Sequence, residues 1–222
     1  MGDVNNLVFD FDGTLIDSSS SILEAMRSAF AACSRQPLRP LAPALIGPPL
    51  AETLALLAGS QDPALLRRLI DAFKAHYDES GYRLTRVFPG VEEMLARLAA
   101  AGYPMFIATN KRLHPTRLIL SHLGWQDLFR GVYALDAFDP PLPSKSSLLG
   151  KLLGIHGLDA RATLYIGDRD EDGTAAAANA MPFAWAGWGY SDPTSARPRA
   201  SMHLAAPAEL LRQLAPERQV QE

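Results

Sequence analysis

Short apolar runs alternating with amphipathic stretches of helical period place this chain in the α/β class, a parallel sheet with helices on both faces. Three observations carry that prediction. The run LVF at 7–9 stops abruptly at polar residues, as a strand buried on both faces does at its exit. Comparable runs recur at 105–108, 163–166 and 183–186, each after a helical stretch. From 18 to about 86, by contrast, only helices and loops are legible, so a small all-helical insert interrupts the alternation after the first strand.

The elements follow in order. Behind Leu7, Val8 and Phe9 stand two carboxylates, Asp10 and Asp12, and then Gly13 and Thr14 break the pattern. Burying an uncompensated charge is expensive, so something positive must meet these acids. A hard divalent cation such as Mg2+ suits oxygen ligands. Gly13 permits a tight departure from the strand and is expected to leave backbone N–H groups facing an anion. Ser18 to Ser21 offer capping hydroxyls. Ile22, Ala25, Met26, Ala29, Phe30 and Cys33 then recur at helical spacing. Five prolines between 35 and 49 predict a loop, and a helix is expected over 50–58. Asp62 and Pro63 read as an N-cap and first helical residue, with Leu66, Leu69, Ile70, Phe73 and Tyr77 continuing the stripe.

From Val87 the alternation resumes. Pro89-Gly90 is a turn, a helix follows over 91–98, and Gly102 ends it. A buried strand at 105–108 leads to Thr109, Asn110 and Lys111, and the next helix closes at Gly124. A strand over 131–135 precedes the proline-rich loop at 140–143, then Ser144 and Lys145 in a loop before a helix over 148–153 that Gly154 stops. The strand at 163–166 ends in Gly167-Asp168 and is followed by an alanine-rich helix through Asn179 that includes Asp172. A strand at 183–186, an edge strand at His203-Leu204 and an amphipathic helix through Leu214 complete the series, with a frayed polar tail expected from Pro216. Trp125 and Trp185 read as core, and burial is also expected for Trp188.

Composition narrows the function. The 222 residues fit one large domain or a core with a smaller insert. A formal net charge of −3 and the lack of a Lys/Arg-rich run offer nothing to nucleic acid. No apolar stretch reaches the roughly 18 residues a membrane span needs. The single cysteine, Cys33, cannot pair within the chain and lies on an apolar stripe. A cytoplasmic soluble protein, monomeric or homodimeric, is expected. The five histidines show no paired spacing for zinc.

The polar residues at the predicted strand ends form a set. Asp10 and Asp12 follow the first strand, Thr109 and Asn110 another, and Asp168 and Asp172 a later one, with Lys145 before a helix. Ligands bind at the carboxyl ends of strands in open parallel sheets. A carboxylate cluster, a hydroxyl and a lysine are a kit for phosphoryl transfer, in which carboxylates hold Mg2+ and one of them attacks. Lys111 and Lys151 are rivals to Lys145 for the lysine.

With these pieces the chain resembles the haloacid dehalogenase-like hydrolase superfamily, in its phosphoglycolate phosphatase-type branch with a helical cap. The matching motifs are DFDGT at 10–14, ATNK with Thr109, Lys145, and the GD…D pattern of Gly167, Asp168 and Asp172. IGPPL at 46–50 also looks like that branch. The resemblance implies a Rossmann-like catalytic core at 1–17 and 87–222 and a helical cap domain at 18–86. It implies a phosphatase in which Asp10 is the nucleophile, forming an aspartyl-phosphate, and Asp12 the acid and then the base. Asp10, Asp168 and the Asp12 carbonyl would bind Mg2+. Gly13, Thr14, Thr109, Asn110 and Lys145 would hold the phosphoryl group, with Asp172 in support. The implied partner is a small phosphorylated metabolite, 2-phosphoglycolate first, with nucleoside 5′-monophosphates, sugar phosphates and pyrophosphate open. Asp12 argues against a dehalogenase, which needs no acid at that position. A phosphonate hydrolase would need a cap lysine, and Lys74 reads as solvated. From another class, a non-catalytic phospho-ligand sensor would keep the fold without turnover. Asp136 and Asp139 are minor metal candidates, Asp170 and Glu171 read as a solvated helix start, and Arg169 would face the phosphate or its acidic neighbours.

Overall fold

The computed structural model describes residues 4–190 and 200–214. The tail expected from Pro216 lies outside the described residues.

Strand β1 (Asn6–Phe9) is followed by the two-residue strand β2 (Ile16–Asp17) and helix α1 (Ser19–Ala32). Helices α2 (Leu50–Ala58) and α3 (Pro63–Glu79) come next, then β3 (Arg86–Val87). Helix α4 (Val91–Ala100), strand β4 (Met105–Thr109) and helix α5 (Leu113–His122) follow. Then come β5 (Gly131–Ala134), α6 (Lys145–His156), β6 (Thr163–Gly167) and α7 (Asp170–Ala178). β7 (Phe183–Ala186), β8 (Met202–Leu204) and α8 (Pro207–Leu214) close the described chain.

Six strands form one sheet in the order β5-β4-β1-β6-β7-β8, and every pairing in it is parallel. β1 is central, and its two neighbours come from later in the chain on opposite sides, which opens a crevice at its carboxyl end. The register holds that crevice level: Phe9 pairs with Ile107 on one side and Ile166 on the other. Side chains alternate as a doubly covered strand requires. Leu7 and Phe9 join a cluster with Met94, Leu95, Ile119 and Leu210, while Val8 joins one with Leu148, Leu149, Leu152 and Ala176. Fully burying each such aliphatic side chain is worth about 1.5–3 kcal/mol.

Residues between β2 and β3 pack around a third cluster, in which Met26, Phe30, Leu54, Leu69, Phe73 and Tyr77 are buried. α1 and α3 form its main seam, and Asp62 caps α3 by accepting from the Ala64 N–H at 3.0 Å. Cys33 is a buried member of this cluster. No helix among the described residues is long and apolar enough to cross a membrane.

Three local expectations need correction. β2 and β3 pair antiparallel, Ile16 with Val87 and Asp17 with Arg86, as a ribbon where only linkers were legible. Two-residue strands carry no readable period. The helix expected over 148–153 begins at Lys145 and runs past Gly150 and Gly154 to a left-handed Gly157. Ser144 is its N-cap, accepting from the Ser147 N–H at 3.2 Å. At the start of α1, the cap is the Asp17 carboxylate, which accepts from the Ser19 N–H at 3.0 Å, while the Ser18 hydroxyl turns elsewhere.

Candidate active site

The chain leaves the sheet after Phe9, and this departure separates the two acids. In a continuing strand positions two apart would share a face. Here Asp10 stays on the Val8 side, beneath the starts of α6 and α7, while the turn at 11–16 carries Asp12 toward α1 and α3. The Asp10 N–H is held by the Ile166 carbonyl at 2.8 Å, an extension of the sheet ladder.

Asp10 lies 3.1 Å from Lys145 Nζ through Oδ2. Lys145 is the first residue of α6 and 2% exposed, a poor place for a cation because the helix dipole there is positive. Two carboxylates compensate. Besides Asp10, Asp172 Oδ1 accepts from Nζ at 2.6 Å. Burial alone would lower the lysine's pKa, but Asp10 and Asp172 outweigh it and hold the ammonium charged. Asp172 itself is committed: Oδ1 also lies 3.1 Å from the Tyr165 hydroxyl, and Oδ2 accepts from the Arg169 N–H at 3.0 Å, starting α7.

Asp168, at the exit of β6, accepts from the Tyr190 N–H at 2.8 Å through Oδ2, and the Thr14 hydroxyl approaches Oδ1 at 3.5 Å. Two glycines let the chain close here. Gly13 has φ +83°, and a Cβ on it would meet Asp168 Oδ2 at 2.4 Å. A Cβ on Gly189 would meet the Asp168 Cβ and the Gly13 carbonyl oxygen, each at 2.3 Å.

Among the described residues, Asp10, Asp168 and Asp172 form a cluster with an oxygen of each within 4.8 Å of the others. Three buried carboxylates therefore stand together, and Lys145 pairs with two of them, Asp10 and Asp172. Burial, with Asp172 adding to it, pushes Asp10 up to about 7 despite Lys145. Burial and the charges of Asp172 and Asp10 push Asp168 up to about 8. Asp10 Oδ1 is buried without a hydrogen-bond partner. The donor set fits a hard divalent cation such as Mg2+, which would supply the missing charge. Since Asp172 is taken up by its three donors, Asp10 and Asp168 are the side chains that would hold the cation.

Asp12 belongs to a second group. Both of its oxygens lie 3.2 Å from Lys111 Nζ, and Oδ1 also accepts from the Ser18 hydroxyl. Lys111 Nζ donates on to the Tyr77 hydroxyl at 2.8 Å and sits 4.6 Å from the centre of that ring. Burial opposes its charge, but Asp12 and Tyr77 more than compensate and raise its pKa. Thr109 is buried at the end of β4, its Oγ1 accepting from the Lys111 N–H at 3.2 Å. Asn110 donates through Nδ2 to the Gly47 carbonyl at 3.0 Å and to Glu171 Oε1 at 3.1 Å.

The structure thus brings Asp10, Lys145, Asp168 and Asp172 into one cluster, and Asp12, Thr109 and Asn110 into the adjoining cleft with Asp10. Several sequence expectations change. The Gly13 N–H is not left facing an anion; it donates to the Ile16 carbonyl at 2.9 Å, and the Thr14 N–H approaches the Phe11 carbonyl at 3.3 Å. Gly13 and Thr14 shape the turn instead. Arg169 lies close enough to its acidic neighbour Asp168 for its charge to oppose the upward shift there, and its Nη2 donates to the Ala44 carbonyl at 3.0 Å. Glu171, exposed as expected, is nonetheless tied to Asn110. Asp136 caps α5 by accepting from the Leu113 N–H at 2.9 Å. Lys151 lies 6.0 Å from the Phe138 ring, away from the carboxylates. Trp185 and Trp188 are partly buried, and their indole N–H groups donate to the carbonyls of Asp168 and Thr14 at 3.2 and 2.9 Å.

Sequence reasoning missed Ser18, Tyr77, Tyr165 and Tyr190. Ser18 reads as a cap, Tyr77 and Tyr165 read as members of apolar runs, and Tyr190 falls in a turn-rich stretch. Their hydroxyls acquire partners only when distant elements meet.

Comparison with known proteins gives a consistent result. Residues 7–186 match the family model for haloacid dehalogenase-like hydrolases. The tyrosine-protein kinase PtkA of Mycobacterium tuberculosis is 33% identical over 186 residues, which are 83% of this chain, and the match spans 62% of that relative's length. A phosphoglycolate phosphatase of Xanthomonas campestris pv. campestris is 33% identical over 188 residues, 83% of each chain. A 5′-nucleotidase of Pseudomonas aeruginosa is 29% identical over 210 residues, 94% of each. Among solved structures, one from Clostridium acetobutylicum described as a predicted phosphatase superposes with a TM-score of 0.85 at 22% identity, over 96% of this chain and 99% of that one.

Proposed function

The chain belongs to the haloacid dehalogenase-like hydrolase family, and we propose that it is a Mg2+-dependent phosphatase that hydrolyses a small phosphomonoester through an aspartyl-phosphate on Asp10. The observation that carries this reading is the pairing of two acids with two lysines at one strand end. Asp10 meets Lys145 and the carboxylate cluster, while Asp12 meets Lys111 at the mouth of the cleft. Relatives named as a phosphoglycolate phosphatase and a 5′-nucleotidase act on small phosphorylated compounds by those names, which supports the same class here. The relative named a tyrosine-protein kinase is matched over only 62% of its length, and its activity is not carried over.

In the mechanism we infer, Asp10 attacks phosphorus with one carboxylate oxygen, and the bond to the leaving alcohol oxygen breaks. Asp12 gives that oxygen a proton. A water then attacks the phosphorus of the aspartyl-phosphate, passes its proton to Asp12, and releases inorganic phosphate and the Asp10 carboxylate. Lys145 neutralises the transferred group and keeps Asp10 oriented, its own position set by Asp172. The Thr109 hydroxyl faces the same group. Asp10, Asp168 and the Asp12 carbonyl would hold Mg2+, which would supply positive charge to offset that of the carboxylates and the phosphoryl group. Lys111 and Ser18 hold the Asp12 carboxyl in place at the cleft.

We read residues 18–86 as the cap over a core of 1–17 and 87–222. Four contacts support a closed cap: Lys111 to Tyr77, Arg112 to Asp78, Asn110 to the Gly47 carbonyl, and Arg169 to the Ala44 carbonyl. The cleft beneath has a volume of about 60 Å³ and suits a small substrate.

The test is phosphate release from a panel of phosphomonoesters with and without Mg2+. Turnover that EDTA removes and Mg2+ restores is expected. Undiminished turnover in EDTA would sink the metal, and no release from any ester would sink the activity.

A further inference from the structure

The cleft over Asp10 and Asp12 has two unlike walls. The core wall is polar, carrying Thr109, Asn110, Lys111 and Arg112. The opposite wall is apolar, built from Ile22 and Met26 of α1, Leu45, Ile46 and Leu50 of the segment before and at the start of α2, and Phe73 of α3. Two polar side chains interrupt it, and each is committed. The Tyr77 hydroxyl accepts from Lys111 Nζ at 2.8 Å, and the Thr53 hydroxyl donates to the Pro49 carbonyl at 3.4 Å. No lysine, arginine or histidine of residues 19–84 lines the cleft.

Each cation of the core wall already faces a carboxylate. Lys111 is held by both oxygens of Asp12. Arg112 makes a two-pronged pair with Asp78, at 2.8 Å from Nη1 to Oδ2 and 2.5 Å from Nη2 to Oδ1. A substrate carrying a second anion beyond its phosphate, as 2-phosphoglycolate does, would bring a carboxylate against aliphatic side chains with every nearby cation already paired. Burying such a charge without a partner is costly.

We propose that the leaving group of the substrate is an uncharged alcohol presenting an apolar face to this wall, and that Met26, Ile46, Leu50 and Phe73 select it. The inference rests on the phosphatase reading and narrows its substrate class. It moves the preference away from 2-phosphoglycolate, which the family resemblance suggests first.

Isobutyl phosphate and 2-phosphoglycolate form a matched pair, because the isopropyl group copies the planar carboxylate in size while removing its charge. With Mg2+ present, kcat/KM for isobutyl phosphate is expected to exceed that for 2-phosphoglycolate by at least ~10-fold. Equal values, or preference for 2-phosphoglycolate, would overturn the proposal. Leu50→Arg places a guanidinium on the apolar wall and is expected to narrow or reverse the ratio; an unchanged ratio would overturn the role of that wall. Binding separates this idea from the activity itself. By calorimetry, 3-methylbutylphosphonate, which cannot be hydrolysed as an ester, is expected to bind more tightly than 3-phosphonopropionate. That order without turnover of any ester would retain the wall and reject the phosphatase, whereas the opposite order rejects the wall whatever the turnover.

Discussion

Arg112 and Asp78 join the end of the β4 exit loop to the last turns of α3 through two hydrogen bonds, with both side chains about four-fifths buried. Planar two-pronged geometry makes this pair stronger than an ordinary surface ion pair. It crosses from the core to the helical insert two residues after Asn110 does the same toward Gly47.

Asp78→Ala should therefore loosen the insert over the cleft. The expected result is a loss of about 1–2 kcal/mol of stability by denaturant titration, because a largely buried guanidinium is left unpaired. KM should rise more than kcat falls, since Asp78 lies outside the reacting centre. Asp78→Glu should recover part of both, and a variant indistinguishable from the parent would show that the pair does not hold the insert.

Asp10→Asn should abolish phosphate release from p-nitrophenyl phosphate, by ~10³-fold or more, while the far-ultraviolet circular dichroism spectrum is retained. Asn keeps the shape of the side chain beside Lys145 but cannot attack. Substantial residual turnover would remove Asp10 as the nucleophile.

The lysines should rank by the acid each one meets. Lys145→Ala is expected to cost the most activity, because it strips the ammonium from both Asp10 and Asp172 in a fully enclosed site. Lys111→Ala should cost less, since Ser18 still donates to Asp12. Lys151→Ala should be near neutral in both activity and stability. Steady-state rates on one aryl phosphate decide the order, and a Lys151 effect comparable to that of Lys145 would contradict it.

Asp17 supplies a pH dependence. Burial would raise its pKa, but the Ser19 hydroxyl and N–H and the Tyr190 hydroxyl hold it below the ordinary carboxylate value. A group with a lowered folded pKa contributes stability above its unfolded pKa and loses it as pH falls through the folded value. Asp17→Asn should thus lower the thermal midpoint at pH 7, and the gap from the parent should shrink below about pH 4. Because Asp17 is only partly buried, the effect is expected to be modest, about 1 kcal/mol. A gap that grows on acidification would reverse the assignment.

Much of this was legible in the chain. The central strands announce themselves because both faces are buried, as at Leu7–Phe9, Met105–Ala108 and Leu164–Ile166. Asp10, Thr109 and Asp168 are conspicuous because each interrupts such a run at the strand exit. Lys145 is harder, since a buried lysine at a helix start looks like a solvated one until Asp10 and Asp172 are placed around it. Ribbon strands of two residues have no period to read. Lys111 was weighed only as a rival to Lys145, yet the two lysines serve different carboxylates. That division arises because the chain turns away from the sheet between Asp10 and Asp12. The paired use of Tyr77, as core side chain on one face and hydrogen-bond acceptor at its tip, follows from how α3 meets β4, which no local pattern encodes.

The ribbon of β2 and β3 has a consequence for how this architecture can be remodelled. Asp17 and Arg86 are directly opposed, so everything between them enters and leaves across the gap of one strand pair, about 5 Å. The sheet order does not depend on what fills that gap. On the proposed division, the cap is a cassette: a two-residue Asn-Gly connection would close the ribbon as a hairpin, and a different helical unit spliced between Asp17 and Arg86 would inherit the proposed phosphoryl-transfer centre while supplying a new ceiling to it.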